Sequence, residues 1–172
     1  VVLGDEGIIQ SNKFPSFFFD LGTGKPSVSI SLSKSLNAKG CSYVDMPIGR
    51  TPTHALKGKI NLFISSTEND QKDNIKLLKD IAENLFFLKK IGDGTRIKLI
   101  NNFYGQTITL IFGKLLNISS INKVEIIDLY KIMNAGPLGS PMLEAITKYY
   151  EGSTEGNMEF SINNAFKDLT YF

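Results

Sequence analysis

The chain has a single cysteine, Cys41, among its 172 residues, so no disulfide can close within it. That usage fits a reducing compartment, and the expectation is a cytoplasmic protein. His54 is the lone histidine, which leaves no second one for a Ser/His/Asp or Cys/His arrangement. No metal-ligand spacing occurs either, and His54 reads as an ordinary polar residue on a loop before a strand. Runs of Lys or Arg long enough to follow a phosphate backbone are missing, and 19 basic residues against 17 acidic ones leave a net charge of +2. Nucleic acid is therefore not an expected partner. The longest apolar stretches, such as Thr107 to Phe112, fall far short of the ~18 residues that suggest a membrane span. No cationic start leads into an apolar run and a small-residue cleavage site, so no signal peptide is read. The chain opens on Val1-Val2 without a Met, as a fragment or a processed product would.

What is present is the balance of a globular protein, 42% hydrophobic and 21% charged. Lys13 to Leu21 contains three consecutive phenylalanines. Side chains alternate along a strand, so such a run suits one covered on both faces, as in a parallel sheet between helix layers. Pro26 opens a helix with Val28, Leu32 and Leu36 on one face, ending at Gly40. Cys41 to Met46 reads as the next strand and Lys59 to Ser65 as a third, with a loop between them. Thr67, three residues before Asp70, marks a helix start. That helix carries the stripe Ile75, Leu78, Ile81, Ala82 and Leu85, followed by a short extended piece, Phe86 to Lys89. Residues 95–117 form one long helix, apolar nearly all round and so buried from several sides. Shorter helices follow at about 121–133, 140–151 and 161–170. Strands come first and helices afterwards, which places a boundary near Gly92.

Three clusters could carry chemistry. Lys98, Asn101, Asn102 and Gly105 fall on one face of the long helix. Most polar stripes on helices are solvated, but this one has apolar neighbours, and a partly buried lysine is suited to proton transfer near neutral pH. The loop Asp45-Met46-Pro47-Ile48-Gly49-Arg50-Thr51 leaves the end of a strand, where open α/β sheets bind ligands. Gly49 allows close backbone approach and Arg50 offers a planar fork to an oxyanion, although an exposed arginine on a turn is commoner. Gly22-Thr23-Gly24-Lys25-Pro26-Ser27 and Gly92-Asp93-Gly94 both imitate a dinucleotide fingerprint. Each lacks its third glycine, which is Ser27 in one and Ile97 in the other.

Taken in order, these segments resemble the β-hydroxyacid dehydrogenases, the family of 3-hydroxyisobutyrate and 6-phosphogluconate dehydrogenases. Gly92 to Asn102 is similar to the family's G-x-G-x-x-x-K-x-x-N-N helix. The resemblance implies that Lys98 is the catalytic proton donor or acceptor, that Asn102 helps hold the substrate, and that Asn101 neighbours it. Asp20-Leu21-Gly22-Thr23 falls where the family has D-x-S-T beside the nicotinamide; Thr23 keeps the hydroxyl and Gly22 departs from the pattern. Lys167-Asp168-Leu169 is similar to the family's K-D-L, whose lysine reaches toward cofactor and substrate. In the substrate loop, Gly49-Arg50-Thr51 replaces the usual Ser-Gly-Gly and looks like the sulfolactaldehyde 3-reductase branch, in which arginine and threonine hold a sulfonate. Gly105 stands where that branch can supply another hydroxyl.

The implied fold class is α/β followed by all-α. Residues 1–91 would be the C-terminal part of a Rossmann-type NAD-binding domain without its G-x-G-x-x-G half, and 92–172 part of a helical domain. The implied activity is NAD- or NADP-dependent oxidation or reduction of a small anionic 3-hydroxy acid or its semialdehyde, by a homo-oligomer. Two other readings stand beside it. One is an inactive remnant, or a subunit that needs another chain to complete its sheet. The other is a small binding module using Gly22 to Ser27 as a phosphate loop.

Overall fold

The computed structural model describes residues 1–66, 78–153 and 160–172. They fall into two compact units, Val1–Asn101 with Asp168–Phe172, and Asn102–Lys167.

The first unit is built on a mixed sheet. Strand β1 (Phe17–Asp20) pairs in parallel with β2 (Ser42–Asp45), joined by helix α1 (Pro26–Asn37). Strand β4 (Ile60–Ser65) runs antiparallel to β2, meeting it at Asp45↔Ser65, and to the short β3 (Ile48–Gly49) at Ile48↔Leu62 and Gly49↔Asn61. Its direction follows from the connection. Between β3 and β4 lies only helix α2 (Pro52–Ala55) and its turns, too little chain for the crossover of a dozen or more residues that a parallel neighbour requires. Pro47, which has no N–H to give to the ladder, separates β2 from β3. Strand β5 (Ala82–Leu88) then lies parallel to β4 on its other side.

The phenylalanine run behaves as alternation requires. Phe17 and Phe19 pack with Val44, Met46, Ile60, Leu62 and Ile64, whereas Phe18 joins Leu32, Leu36, Cys41 and Tyr43 on the opposite face. Both faces of the sheet thus carry a packed cluster, while β1 stays half-buried and Phe86 and Phe87 of β5 are exposed. Helix α1 turns Ser29, Leu32, Ser33 and Leu36 inward and leaves Val28 48% exposed. The expected face is thus rotated by one residue, because two small serines let the helix lie close and Ser29 Oγ bonds Thr95 Oγ1 at 3.1 Å.

A second departure concerns residues 82–88. Ala82 and Leu85 do not continue a helical stripe; they belong to β5, and helical structure ends at residue 81. The ladder to β4 and the β-forming Phe86-Phe87 outweigh the spacing. The expected helix start at Thr67 and the stripe residue Ile75 lie outside the described residues.

Helix α3 (Asp93–Ile121) begins in the first unit and continues into the second, where α4 (Ile126–Asn134), α5 (Pro141–Tyr150) and α6 (Ile162–Leu169) follow, the last two residues of α6 belonging to the first unit. The core of the second unit is Phe112, Leu143 and Ile146, with Ile108, Leu115, Tyr130, Met133 and Met142 around it. Burial of α3 from several sides is not what the structure has. Leu110 is 67% and Ile121 79% exposed, with Phe103, Tyr104, Ile111 and Ile118 also open, because the described residues cover only one side of the helix.

Candidate functional site

The site is organised where α3 meets the sheet. Asp45, 1% exposed at the end of β2, accepts four hydrogen bonds. Oδ2 takes Gly92 N, Thr95 N and Ser65 Oγ, each at 3.1 Å, and Oδ1 takes Thr95 Oγ1 at 2.6 Å. Ser65 Oγ in turn accepts Gly94 N at 2.7 Å. A carboxylate facing the first N–H groups of a helix satisfies donors that have no partner inside the helix and complements its dipole. Burial pushes the Asp45 carboxyl above its usual value, against the bonds from Thr95 and Ser65 that favour the charged form.

Gly92 and Gly94 therefore serve this junction. Gly92 has φ +90°, and a Cβ on Gly94 would stand 2.4 Å from Phe63 O and 2.9 Å from Ser65 Oγ. Backbone cannot give way as a flexible side chain would. Gly94→Ala should lower stability by about 1–3 kcal/mol, the usual cost of overpacking, as read from urea unfolding.

From this fixed end α3 carries Lys98 and Asn102, four residues apart and both half-buried. Gly105 and Gln106, on the following turn, are half-buried as well, whereas Asn101 is exposed. Gln106 was not singled out from sequence. Its side-chain nitrogen and oxygen are buried without a hydrogen-bond partner among the described residues, and its spacing of eight from Lys98 was the available signal.

The loop that follows β2 sits elsewhere on the sheet. Gly49 is buried in β3, where a Cβ would meet the Phe63 ring at 2.9 Å. Arg50 follows with φ +75°, and its Nη1 donates to Lys59 O at 2.8 Å and to Glu83. Thr51 Oγ1 lies 2.7 Å from His54 Nδ1, with His54 on α2 rather than on a loop. These groups gather at the Ile60 end of β4, and the α3 terminus at its Ser65 end. Phe63 stands between them, its ring beside Gly49 and its carbonyl oxygen beside Gly94.

At the end of β1, Asp20 holds the turn that precedes α1. Its Oδ1 accepts Gly22 N at 3.0 Å and its Oδ2 accepts Tyr43 Oη at 2.8 Å, while Thr23 is half-buried. Burial, then the neighbouring Asp20, pushes the Tyr43 phenol up, so it stays a donor. Helix α1 has no side-chain cap at Lys25, and a Cβ on Gly24 would meet nothing within 4 Å.

The NAD binding domain of 6-phosphogluconate dehydrogenase matches residues 1–90, just over half the chain. The chain belongs to this dehydrogenase family. Among its curated relatives, 3-sulfolactaldehyde reductase of Escherichia coli is 29% identical over 103 residues, which is 60% of this chain and 35% of that protein. Mitochondrial 3-hydroxyisobutyrate dehydrogenase of Rattus norvegicus is 28% identical over 102 residues, 59% of this chain and 30% of the relative. The fold is that of Psf3, solved with NADP+ and 2-OPP. Its TM-score is 0.82 at 17% identity, over 96% of this chain and 58% of that one. The chain thus spans about a third of the length of the curated relatives it matches.

Within this dehydrogenase fold, Lys167 is half-buried near the end of α6, in the second unit, and Asp168 is buried in the first. No group of His, Cys, Asp or Glu suited to a metal occurs among the described residues, and no helix among them is long and apolar enough to cross a membrane.

Proposed function

We propose that the chain is the part of an NAD- or NADP-dependent dehydrogenase that holds the substrate and moves its proton. The substrate is a small anionic 3-hydroxy acid or its semialdehyde, of the class to which 3-sulfolactaldehyde belongs. The observation that carries this reading is the pair Lys98 and Asn102, half-buried on adjacent turns of a helix whose first turn is locked to the sheet. Such a helix can hold an ammonium and a carboxamide to one substrate oxygen, which general acid–base catalysis requires.

Lys98 gives its proton to the carbonyl oxygen during reduction, and as a neutral amine takes it back during oxidation. Asn102 donates to the same oxygen, with Asn101 and Gly105 beside it. Arg50 and Thr51 take the anionic end, and Gly49, buried against the Phe63 ring, sets the turn that presents them. The nicotinamide, when bound, supplies or accepts the hydride. The residues suited to its end of the site are Thr23 and, from the chain's last helix, Lys167 and Asp168. An uncapped α1 terminus and the space at Gly24 fit a polar cofactor there. We assign residues 1–91 to the cofactor domain and 92–172 to the helical one, and place the enzyme in the cytoplasm as a homo-oligomer.

Arg50→Ala should raise the KM for the anionic substrate tenfold or more with little change in kcat, since a charge-assisted bond of this kind acts on ground and transition states alike. Equal KM values would remove the anion-binding role.

One observation favours a second reading, a subunit completed by another chain. β1 pairs only with β2 among the described residues, and the open apolar side of α3 has no cover there. That reading expects no NADH binding by this chain alone, with binding restored when a polypeptide carrying the strand–glycine loop–helix half is added. Calorimetry separates the two.

A further inference from the structure

The Arg50 corner contains an acid that no motif announces. β5 has a bulge opposite the start of β4: Ile60 pairs with Ala82 and Asn61 with Asn84, so Glu83 is the extra residue. Bulges turn a side chain out of the ladder and recur beside functional sites. Here the bulge sends Glu83 to Arg50 Nη1, which Lys59 O also accepts from at 2.8 Å. Lys59 Nζ stands 3.8 Å from Glu83 Oε1. Both bonds of the guanidinium use one nitrogen. Its Nε and Nη2 edge makes no hydrogen bond among the described residues. An arginine offers five donors in a rigid fork, and fixing one side of the fork aims the other.

We propose that Glu83 is the positioning residue of Arg50, gripping one guanidinium nitrogen so that the opposite edge is presented to the substrate's anionic group. The proposal rests on the reading of Arg50 and Thr51 as the anion site. It makes a prediction whose sign is contrary to simple electrostatics. With Arg50 and Lys59 positive and Glu83 negative, this corner has one net positive charge. Removing Glu83 raises that charge, so an acid that merely competed for the arginine would, on removal, leave a tighter anion site. A positioning acid leaves a weaker one, because a guanidinium released from its anchor must be ordered anew by the ligand.

The probe is 3-hydroxypropane-1-sulfonate, titrated into the chain while the Arg50 Nε–H and Thr51 amide resonances are followed by NMR. Glu83→Ala should weaken binding about tenfold, the scale of one hydrogen bond to a charged group. Glu83→Asp should recover part of that loss. The hydrogen bond from Arg50, and then the nearby cations, hold the Glu83 carboxyl below the usual glutamate range. With Lys59 and His54 as the other titratable groups facing this carboxyl, sulfonate affinity should fall as Glu83 gains its proton, a fall that Glu83→Gln lacks. A purely structural ion pair would change the melting temperature without that pH profile. Unchanged or tighter binding by Glu83→Ala, with binding abolished by Arg50→Ala, overturns the role of Glu83 alone. Binding unaffected by Arg50→Ala, or absent in the unaltered chain, overturns the anion site and this proposal with it.

Discussion

Lys98→Ala should cut kcat at least a hundredfold, with KM for the hydroxy acid or aldehyde changed little. The measurement is steady-state turnover of the enzyme that contains this chain, with its nicotinamide cofactor. The magnitude is that of a positioned general acid or base, about 10²–10⁴. Its confinement to kcat follows from when the group acts. In the proposed mechanism the ammonium of Lys98 acts as charge gathers on the carbonyl oxygen, so its loss should be felt in the transition state and hardly in the ground state. Folding should survive the change. The buried residue on this turn is Leu99, and the helix terminus is held by Asp45 and Ser65. A Lys98→Ala enzyme that turns over at the original rate would end the assignment, whatever its stability.

Much of the first unit was legible because its signals are local. Three phenylalanines in a row demand cover on both faces of a strand, and Phe17, Phe18 and Phe19 pack against clusters on opposite faces while each stays half-buried. The long apolar helix was legible too, and so was the polar face with Lys98 and Asn102. Other features are properties of pairs far apart in the chain. Ala82 and Leu85 satisfy helical spacing with Ile81 and Leu78, yet the free edge of β4 claims them as a strand. The antiparallel direction of β4 depends on how little chain separates it from β3. Glu83 and Arg50 are 33 residues apart and meet through a bulge, which leaves no pattern to read. Asp45 was noticed as the head of the loop that runs to Thr51. Its role as an anchor was hidden because two of its four donors are backbone N–H groups, which look alike in every sequence.

That anchor should be the most sensitive point of the fold. Asp45→Ala is expected to cost about 3 kcal/mol, measured by urea unfolding, with Asp45→Asn costing about half as much. The Thr95 hydroxyl can turn to Ser29 Oγ, 3.1 Å away. The N–H groups of Gly92 and Thr95 cannot turn, and each buried donor left unmade costs about 1–3 kcal/mol. An asparagine oxygen can accept from them, but its NH2 then faces the Thr95 hydroxyl, so the rescue is partial. Hydrogen exchange should locate the damage, with the Thr95 amide losing protection before those of β4. The pH dependence carries a sign. Burial holds the Asp45 carboxyl above its ordinary 3.8, so the folded chain keeps the proton over a range in which the unfolded chain has lost it. Stability from this group is complete below 3.8 and declines as pH rises through the folded value, a slope that Asp45→Asn removes. Because α3 carries Lys98 one turn beyond the anchored residues, activity should fall with the anchor even where the chain stays folded. An Asp45→Ala chain as stable as the original would mean that the α3 terminus is held by something other than this carboxylate.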